Sequence, residues 1–255
     1  MSNKSEIYLD ALGANISLSP QMIHDLDVQG FTVIHNVIDA DWLAEMRRMF
    51  DMIVEKEGDL LAIEHHQEEK ATRIANLINK GTVWEKVWSH PLVLSVCRHI
   101  FNGEFKVSSL NAREALMGGG HQPLHADWKQ PRPDFPKVHL VNSIWAIDDL
   151  SAENGAPRII PGTHNRPELP EDVLADPSAS HPDEIIFACP AGSVMIYNAH
   201  TWHGGTTNRT GARRRVLHGL YIDRADLQQQ DQRKWLTHET NSRLNPAQKW
   251  LLDVE

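Results

Sequence analysis

Cysteine is almost missing from this 255-residue chain. Its two cysteines, Cys97 and Cys189, each sit in an apolar stretch and form no Cys-x-x-Cys pair. That excludes a disulfide framework and a cysteine-held zinc site, and it points to a reducing compartment, the cytoplasm. Long apolar runs are missing too. Nothing approaches the roughly 20 residues of a membrane span, and the first ten residues are polar, without the apolar centre of a signal peptide. Basic charge is in short supply: 25 Lys and Arg face 34 Asp and Glu, for a net charge of −9. With no basic patch, neither nucleic acid nor a membrane surface is an expected partner. There is no internal repeat and no low-complexity tract. What the chain does have is histidine, 15 in all. With so few thiols, any metal would be held by nitrogen and oxygen.

A chain of this length buries a full core without covalent staples. The pattern along it reads as one domain over residues 1–255. Residues 1–103 are mostly helical support, 104–224 a β core and 225–255 a helical tail. Ser19-Pro20 starts a short helix that Gly30 stops. Residues 31–38 are rich in β-branched side chains and read as a strand. Asp39 can cap a helix whose apolar residues Trp42, Leu43, Met46, Phe50, Ile53 and Val54 recur at helical spacing, with Gly58 closing it. A helical pair over 83–100 is broken by Ser89-His90-Pro91. Beyond Gly103 come short β-rich runs at 105–110, 138–147, 157–160, 185–187, 193–197 and 216–222, which predict a sandwich or barrel. The Pro- and Asp-rich stretch 165–183 is a long surface loop, of a length often used as a lid. Residues 226–235, and the segment opened by Asn245-Pro246, are expected to be helical.

His-x-Asp or His-x-Glu is the simplest oxygen–nitrogen chelate, and roughly two such triplets are expected by chance in a chain of this composition. Three are present, at His66, His125 and His181. His66 lies in a charged segment and His181 in the Pro-rich loop. His125-Ala-Asp127 instead follows Gly118-Gly-Gly between a strand and a loop. On an extended backbone residues i and i+2 point the same way, so His125 and Asp127 can face one centre. A third ligand can come from His200 or His203; glycines behind His203 favour it by allowing close backbone approach. Two histidines and one carboxylate leave three metal positions open, the arrangement of non-haem Fe(II) oxygenases. The plain alternative is a set of satisfied polar groups in a sandwich.

Arg213-Arg-Arg215 enters the last β run. Alternation sends either Arg214 inward, or its two neighbours together. A buried guanidinium needs a partner, and its fork matches a carboxylate. A dicarboxylate co-substrate would satisfy it, with one end on the metal and the other on the arginine. A surface basic cluster is the alternative.

Taken in order, His125-Ala-Asp127-Trp128, Asn142-Ser-Ile-Trp145, Glu153-Asn-Gly-Ala-Pro-Arg-Ile-Ile-Pro-Gly-Thr-His164, Pro190-Ala-Gly192, Trp202-His203-Gly-Gly205, Asn208 and Arg214-Arg-Val-Leu-His218 resemble the phytanoyl-CoA dioxygenase family of Fe(II)- and 2-oxoglutarate-dependent oxygenases. The likeness spans residues 20–224. It implies a mainly β fold with flanking helices: a double-stranded β-helix, jelly-roll or cupin-like, of two four-stranded antiparallel sheets. His125, Asp127 and His203 would hold Fe(II), 2-oxoglutarate would chelate it, and O2 would take the last position. Arg214 would pair with the far carboxylate of 2-oxoglutarate. Asn111 and Trp145 match positions that line the co-substrate pocket. Where some relatives carry a hydroxyl two residues after the distal histidine, this chain has Gly205, and Thr206 or Thr207 is expected to replace that contact. A carboxylate at Asp127 implies hydroxylation or a related oxidation rather than halogenation, since halogenating relatives have a small residue there.

The compact size of the chain favours a small or medium-sized metabolite as substrate, with secondary metabolism one setting, and a monomer or homodimer is expected. Candidate substrate-pocket residues are Arg73, Asn76, Trp128, Lys129 and Arg132. Lys129, Arg132 and Lys137 can attract an anion, or can simply be a solvated loop. Two other readings share the scaffold: a cupin-like metal enzyme that does not use 2-oxoglutarate, and a catalytically silent binding module.

Overall fold

A computed structural model describes residues 3–58, 68–130 and 132–255. The N-terminal part is helical. α1 is Asn3–Ala11 and α2 is Pro20–His24. Ser19 caps α2 by accepting from the Met22 N–H, with proline at the first turn. One wide turn continues it to Gly30, where φ is 87°, a conformation glycine adopts freely. β1 (Phe31–Ile34) follows, shorter than the β-branched run. α3 spans Ala40–Glu57, with the Asp39 carboxylate accepting from the Trp42 N–H at 2.8 Å. Then come β2 (Ala71–Ile74), α4 (Glu85–Trp88) and α5 (Pro91–Phe101). The break at Ser89-His90-Pro91 is where the sequence places it, and α5 ends on Asn102 in the left-handed region.

The β region holds β3 (Phe105–Ala115), β4 (Leu140–Ala146), β5 (Pro157–Ile159), a turn of helix α6 (Pro170–Val173), β6 (Ile185–Ile186), β7 (Val194–Asn198), β8 (His203–Gly205) and β9 (Arg215–Asp223). The tail carries α7 (Gln232–Trp235), α8 (His238–Arg243) and α9 (Pro246–Leu251). Among the described residues no helix is long and apolar enough to cross a membrane.

The strands form two antiparallel sheets, but not two of four. The larger has six strands in the order β1-β7-β4-β9-β3-β2; the smaller has three, β6-β5-β8. Two physical causes account for the difference. β1 and β2, from the helical third of the chain, add themselves to the two edges of the larger sheet. In the smaller sheet the fourth edge is only bridged. His125 and His203 exchange both N–H···O bonds at 2.9 Å, and the Gln122 N–H reaches the Gly205 carbonyl at 2.9 Å. Pro123 between them has no N–H to continue a ladder.

Each face of the six-stranded sheet has its own role. Val141, Trp145, Leu217 and Tyr221 face the helices and join Trp42, Met46, Phe50, Trp84 and Trp88 in one apolar core. On the other face Ile144, Ala146, Met195, Tyr197 and Val216 pack with Ile159 of the smaller sheet and with Phe187, the residue after β6. That packing closes one end of the space between the sheets. The other end holds the polar cavity.

Candidate metal centre

His125, Asp127 and His203 come together at the mouth of this space. One ligand atom from each lies within 4.8 Å of the other two. The backbone explains why. His125 is bridged to His203, and two residues later the Asp127 N–H donates to the Ala199 carbonyl at 2.9 Å. The extended 125–127 step is thus held at both ends, and both side chains point the same way. His203 opens β8 beside them. The Nε2 atoms of His203 and His125 lie 3.5 and 3.8 Å from Asp127 Oδ1. Each ring is oriented by its other nitrogen: Nδ1 of His125 faces the Pro123 carbonyl at 2.8 Å, and Nδ1 of His203 faces that of Thr201 at 2.9 Å. With Nδ1–H donating there, both Nε2 lone pairs are presented to the centre.

The electrostatics suit a cation. Burial works against the Asp127 charge, but His203, His125 and a hydrogen bond from Asn142 outweigh it and hold the carboxyl well below its usual range. Burial and the neighbouring His203 push His125 down to about 4, so its imidazole is neutral at physiological pH. Burial also disfavours charge on His203, yet the Asp127 carboxylate beside it raises its pKa overall. Among the described residues no other three His, Cys, Asp or Glu side chains converge in this way. His200 is buried with its pKa pressed down to about 3 by burial and by Arg132, and its Nε2 accepts from the His139 N–H at 3.5 Å. His181 takes a hydrogen bond from the Asp183 N–H. His66 lies outside the described residues.

The three ligands open onto a cavity of about 320 Å³. Arg214 lies in its wall, 1% exposed, with Nε and Nη1 lacking any hydrogen-bond partner among the described residues. Burial and the adjacent Arg113 pull its pKa down to about 9. Its neighbours point the other way. Arg213 pairs with Glu114 and Asp51, and Arg215 forms a two-pronged pair with Asp148, both bonds at 2.8 Å. Of the two orientations alternation allowed, the single inward arginine is the one observed.

The other expected site residues divide. Asn111, Arg73 and Lys129 line the cavity. Asn76 does not. It is buried with φ 53°, and its N–H donates to Asn111 Oδ1, fixing that amide from behind. Trp145 is a correction: it faces the helices, stacking edge-on against Trp42 and His90, because alternation along β4 sends Asn142 and Ile144 to the cavity instead. Trp128 stacks on His139 with centroids 4.4 Å apart. The Arg132 guanidinium donates to the carbonyls of His164, Arg166 and Lys137 and braces its own loop. The Thr206 hydroxyl donates to the Ala156 carbonyl at 2.7 Å and does not line the cavity. The missing hydroxyl at Gly205 has a steric cause, since a Cβ there would lie 2.1 Å from the Gly120 carbonyl oxygen.

Some cavity residues escaped the sequence reading. Arg113 sits opposite Arg73 across β2 and β3, and both bind Glu68. Burial opposes charge on Glu68, but the two guanidiniums hold its pKa down to about 2. Arg113 is two residues from Asn111 on one strand, so alternation could have found it. Gln122 and Gln229 come from irregular segments that carry no such signal.

A β core presenting two histidines, one carboxylate and an unpaired arginine to one cavity has the layout of a non-haem iron oxygenase site. A family model for phytanoyl-CoA dioxygenase (PhyH) matches residues 26–216, and the chain belongs to that family. Dioxygenase trt7 of Aspergillus terreus is 27% identical over 215 residues, covering 79% of this chain and 72% of the relative. Dioxygenase aneA of Aspergillus aculeatus is 24% identical over 209 residues, covering 75% and 68%. HygX from Streptomyces hygroscopicus, solved with nickel and 2-oxoglutarate bound, matches with a TM-score of 0.68 at 16% identity, over 84% of this chain and 90% of HygX. That likeness is one of fold.

Proposed function

We propose that residues 1–255 act as one Fe(II)- and 2-oxoglutarate-dependent oxygenase domain that hydroxylates an unactivated C–H bond of a small or medium-sized metabolite. The observation that carries this reading is Arg214: a fully buried guanidinium with two unpartnered nitrogens, in the same cavity as the three converging ligands. An unpaired buried cation costs several kcal/mol, and a dicarboxylate anchored at the metal would relieve that cost. The same observation disfavours a metal enzyme that works without 2-oxoglutarate. HygX has also been solved with iron and with hygromycin B bound, which supports both the metal and a small-molecule substrate.

The donor set fits the group. His125, Asp127 and His203 would hold the metal on one face and leave three positions for ligands that change during turnover. Iron with bound 2-oxoglutarate and O2 supplies the oxidant, one oxygen atom going to the substrate and the other to succinate as CO2 leaves. The protein does the rest. Pro123 and Thr201 carbonyls fix the imidazole tautomers. Arg214 would pair with the distal carboxylate of 2-oxoglutarate. Its guanidinium stays protonated at neutral pH, so it serves to orient and neutralise the carboxylate. Ile144 and Leu220 give the wall an apolar surface, and Arg73, Lys129, Asn111 and Gln229 give it donors, so that a substrate is held with one C–H bond near the metal and water is kept out. Asp127 occupies the third protein position and thereby favours hydroxylation over halogenation.

The test is iron content and succinate release. His125→Ala and His203→Ala are expected to lose iron, and His181→Ala to keep it. Wild-type protein is expected to release succinate only with Fe(II), 2-oxoglutarate and O2 together. Equal iron retention in all variants would overturn the ligand assignment.

A further inference from the structure

Asp127 is asymmetric. Both histidine Nε2 atoms approach Oδ1, at 3.5 and 3.8 Å. Both hydrogen-bond donors approach Oδ2: Asn142 Nδ2 at 3.0 Å and the Tyr197 hydroxyl at 3.1 Å. The two donors are also bonded to each other, Asn142 Nδ2 donating to the Tyr197 oxygen at 2.8 Å. They are direct cross-strand partners, Asn142 on β4 and Tyr197 on β7. Side chains of such a pair stand close together on one face of the sheet. Both are buried, Tyr197 at 0% and Asn142 at 3% exposure.

The direction of these bonds is informative. A phenol has one proton. With it directed to Asp127, none is left for His203 Nε2, which lies 3.1 Å away. That nitrogen keeps its lone pair for a metal. The Asn142 amide turns its NH2 group to Asp127 and Tyr197 while its own Oδ1 has no partner among the described residues. A buried amide oxygen left unsatisfied is unfavourable, so the carboxylate charge, not the amide's own needs, sets the orientation.

We propose that Tyr197 and Asn142 are positioning residues that occupy Oδ2 of Asp127 and keep it a one-oxygen ligand. The inference rests on the iron reading above and deepens it. A carboxylate free to chelate through both oxygens would take a fourth metal position. 2-Oxoglutarate needs two positions and O2 one, so a chelating Asp127 would block the reaction. The clamp ensures that the smallest donor set needed to hold the metal is also the largest that leaves it open. Neither residue touches the reacting atoms in this account; both act through Asp127.

The experiment uses Mn(II) as the probe, in the full chain without 2-oxoglutarate, with wild type, Tyr197→Phe and Asn142→Ala. Mn(II) affinity is measured, and water-proton relaxation reports the number of metal-bound waters. Circular dichroism checks folding. Loss of a partner that orients a ligand weakens metal binding by about tenfold or more. Tyr197→Phe removes only the hydroxyl, so the fold is retained. The expected result is weaker binding in both variants together with fewer bound waters, as the second carboxylate oxygen swings onto the metal. A role confined to packing would leave the water count at the wild-type value and would overturn the proposal. An intense visible phenolate band on adding Fe(III) to wild type, absent in Tyr197→Phe, would make Tyr197 a ligand itself and would also overturn it. Failure of the wild type to bind Mn(II) at all would instead overturn the metal assignment on which the proposal stands.

Discussion

Arg214 and Arg215 are adjacent, chemically identical and almost equally buried, at 1% and 5% exposure. Arg215 is fully engaged. It makes two bonds to Asp148, a backbone N–H bond to the same carboxylate, and further contacts to Asp51 on α3. Arg214, one residue earlier and on the opposite face, leaves two nitrogens unpartnered. Burial alone therefore does not distinguish structure from function. The distinction is whether the protein supplies the partner. On the helix side of the sheet it does, and the charge locks α3 to β9. On the cavity side no such partner is found among the described residues, and this is what favours a carboxylate co-substrate there.

Four outcomes sharpen or break that contrast. The largest concerns Arg214→Ala. Deleting one partner of a buried charge pair costs several kcal/mol, so 2-oxoglutarate affinity should fall by about a thousandfold. The ligand-free variant should melt no lower than wild type, because a buried unpaired charge has been removed. Calorimetric binding and a thermal melt check both halves. Next, Arg215→Ala leaves Asp148 buried without its main partner and should lower folding stability by about 3 kcal/mol in urea titrations, with little direct effect on 2-oxoglutarate affinity. Third, the cavity-wall cluster is pH-sensitive. The Glu68 pKa is depressed to about 2. A depressed carboxyl stabilises the fold fully above its unfolded pKa and loses that contribution as pH falls through the folded value. Stability should therefore drop between about pH 4.5 and pH 2, and Glu68→Gln should flatten that part of the curve. The smallest effect is Arg213→Ala. Its side chain is half exposed and its Asp51 partner is too, but it also bonds the buried Glu114. The loss should therefore fall below that of Arg215→Ala while still exceeding the roughly 1 kcal/mol of a fully exposed pair, read in the same urea titrations.

What could be read from the sequence follows from where the signals are local. α3 lies between Asp39 and Gly58 because a cap and a stop are side-chain properties of single residues. β9 was visible in a β-branched, apolar run, and the alternation that sends Arg214 inward is a property of any strand. His125 and Asp127 were visible because extended backbone puts i and i+2 together. Direction across a sheet was not visible. Trp145 and Asn142 are three residues apart on one strand, and only the partner layers decide which one meets the cavity. Resemblance alone put Trp145 on the wrong face. The role expected of Thr206 fell for a similar reason: its hydroxyl is taken by the Ala156 carbonyl, a contact made only when β5 and β8 pair. Arg132 looked like a free cation in a loop, yet three carbonyls from folded turns surround it. The count of strands per sheet depended on β1 and β2 joining edges far from them in the chain, and a short strand such as β2, Ala-Thr-Arg-Ile, carries little pattern of its own.

The central claim is that one cavity holds iron at His125, Asp127 and His203 and 2-oxoglutarate at Arg214. Its most direct test is an anaerobic titration with Fe(II) and then 2-oxoglutarate, followed by visible absorption. The account predicts the weak charge-transfer band of an iron–2-oxoglutarate chelate, saturating at one 2-oxoglutarate per chain and missing from Arg214→Ala at the same concentration. A folded, Fe(II)-treated wild-type protein that shows no band at any 2-oxoglutarate concentration would contradict it.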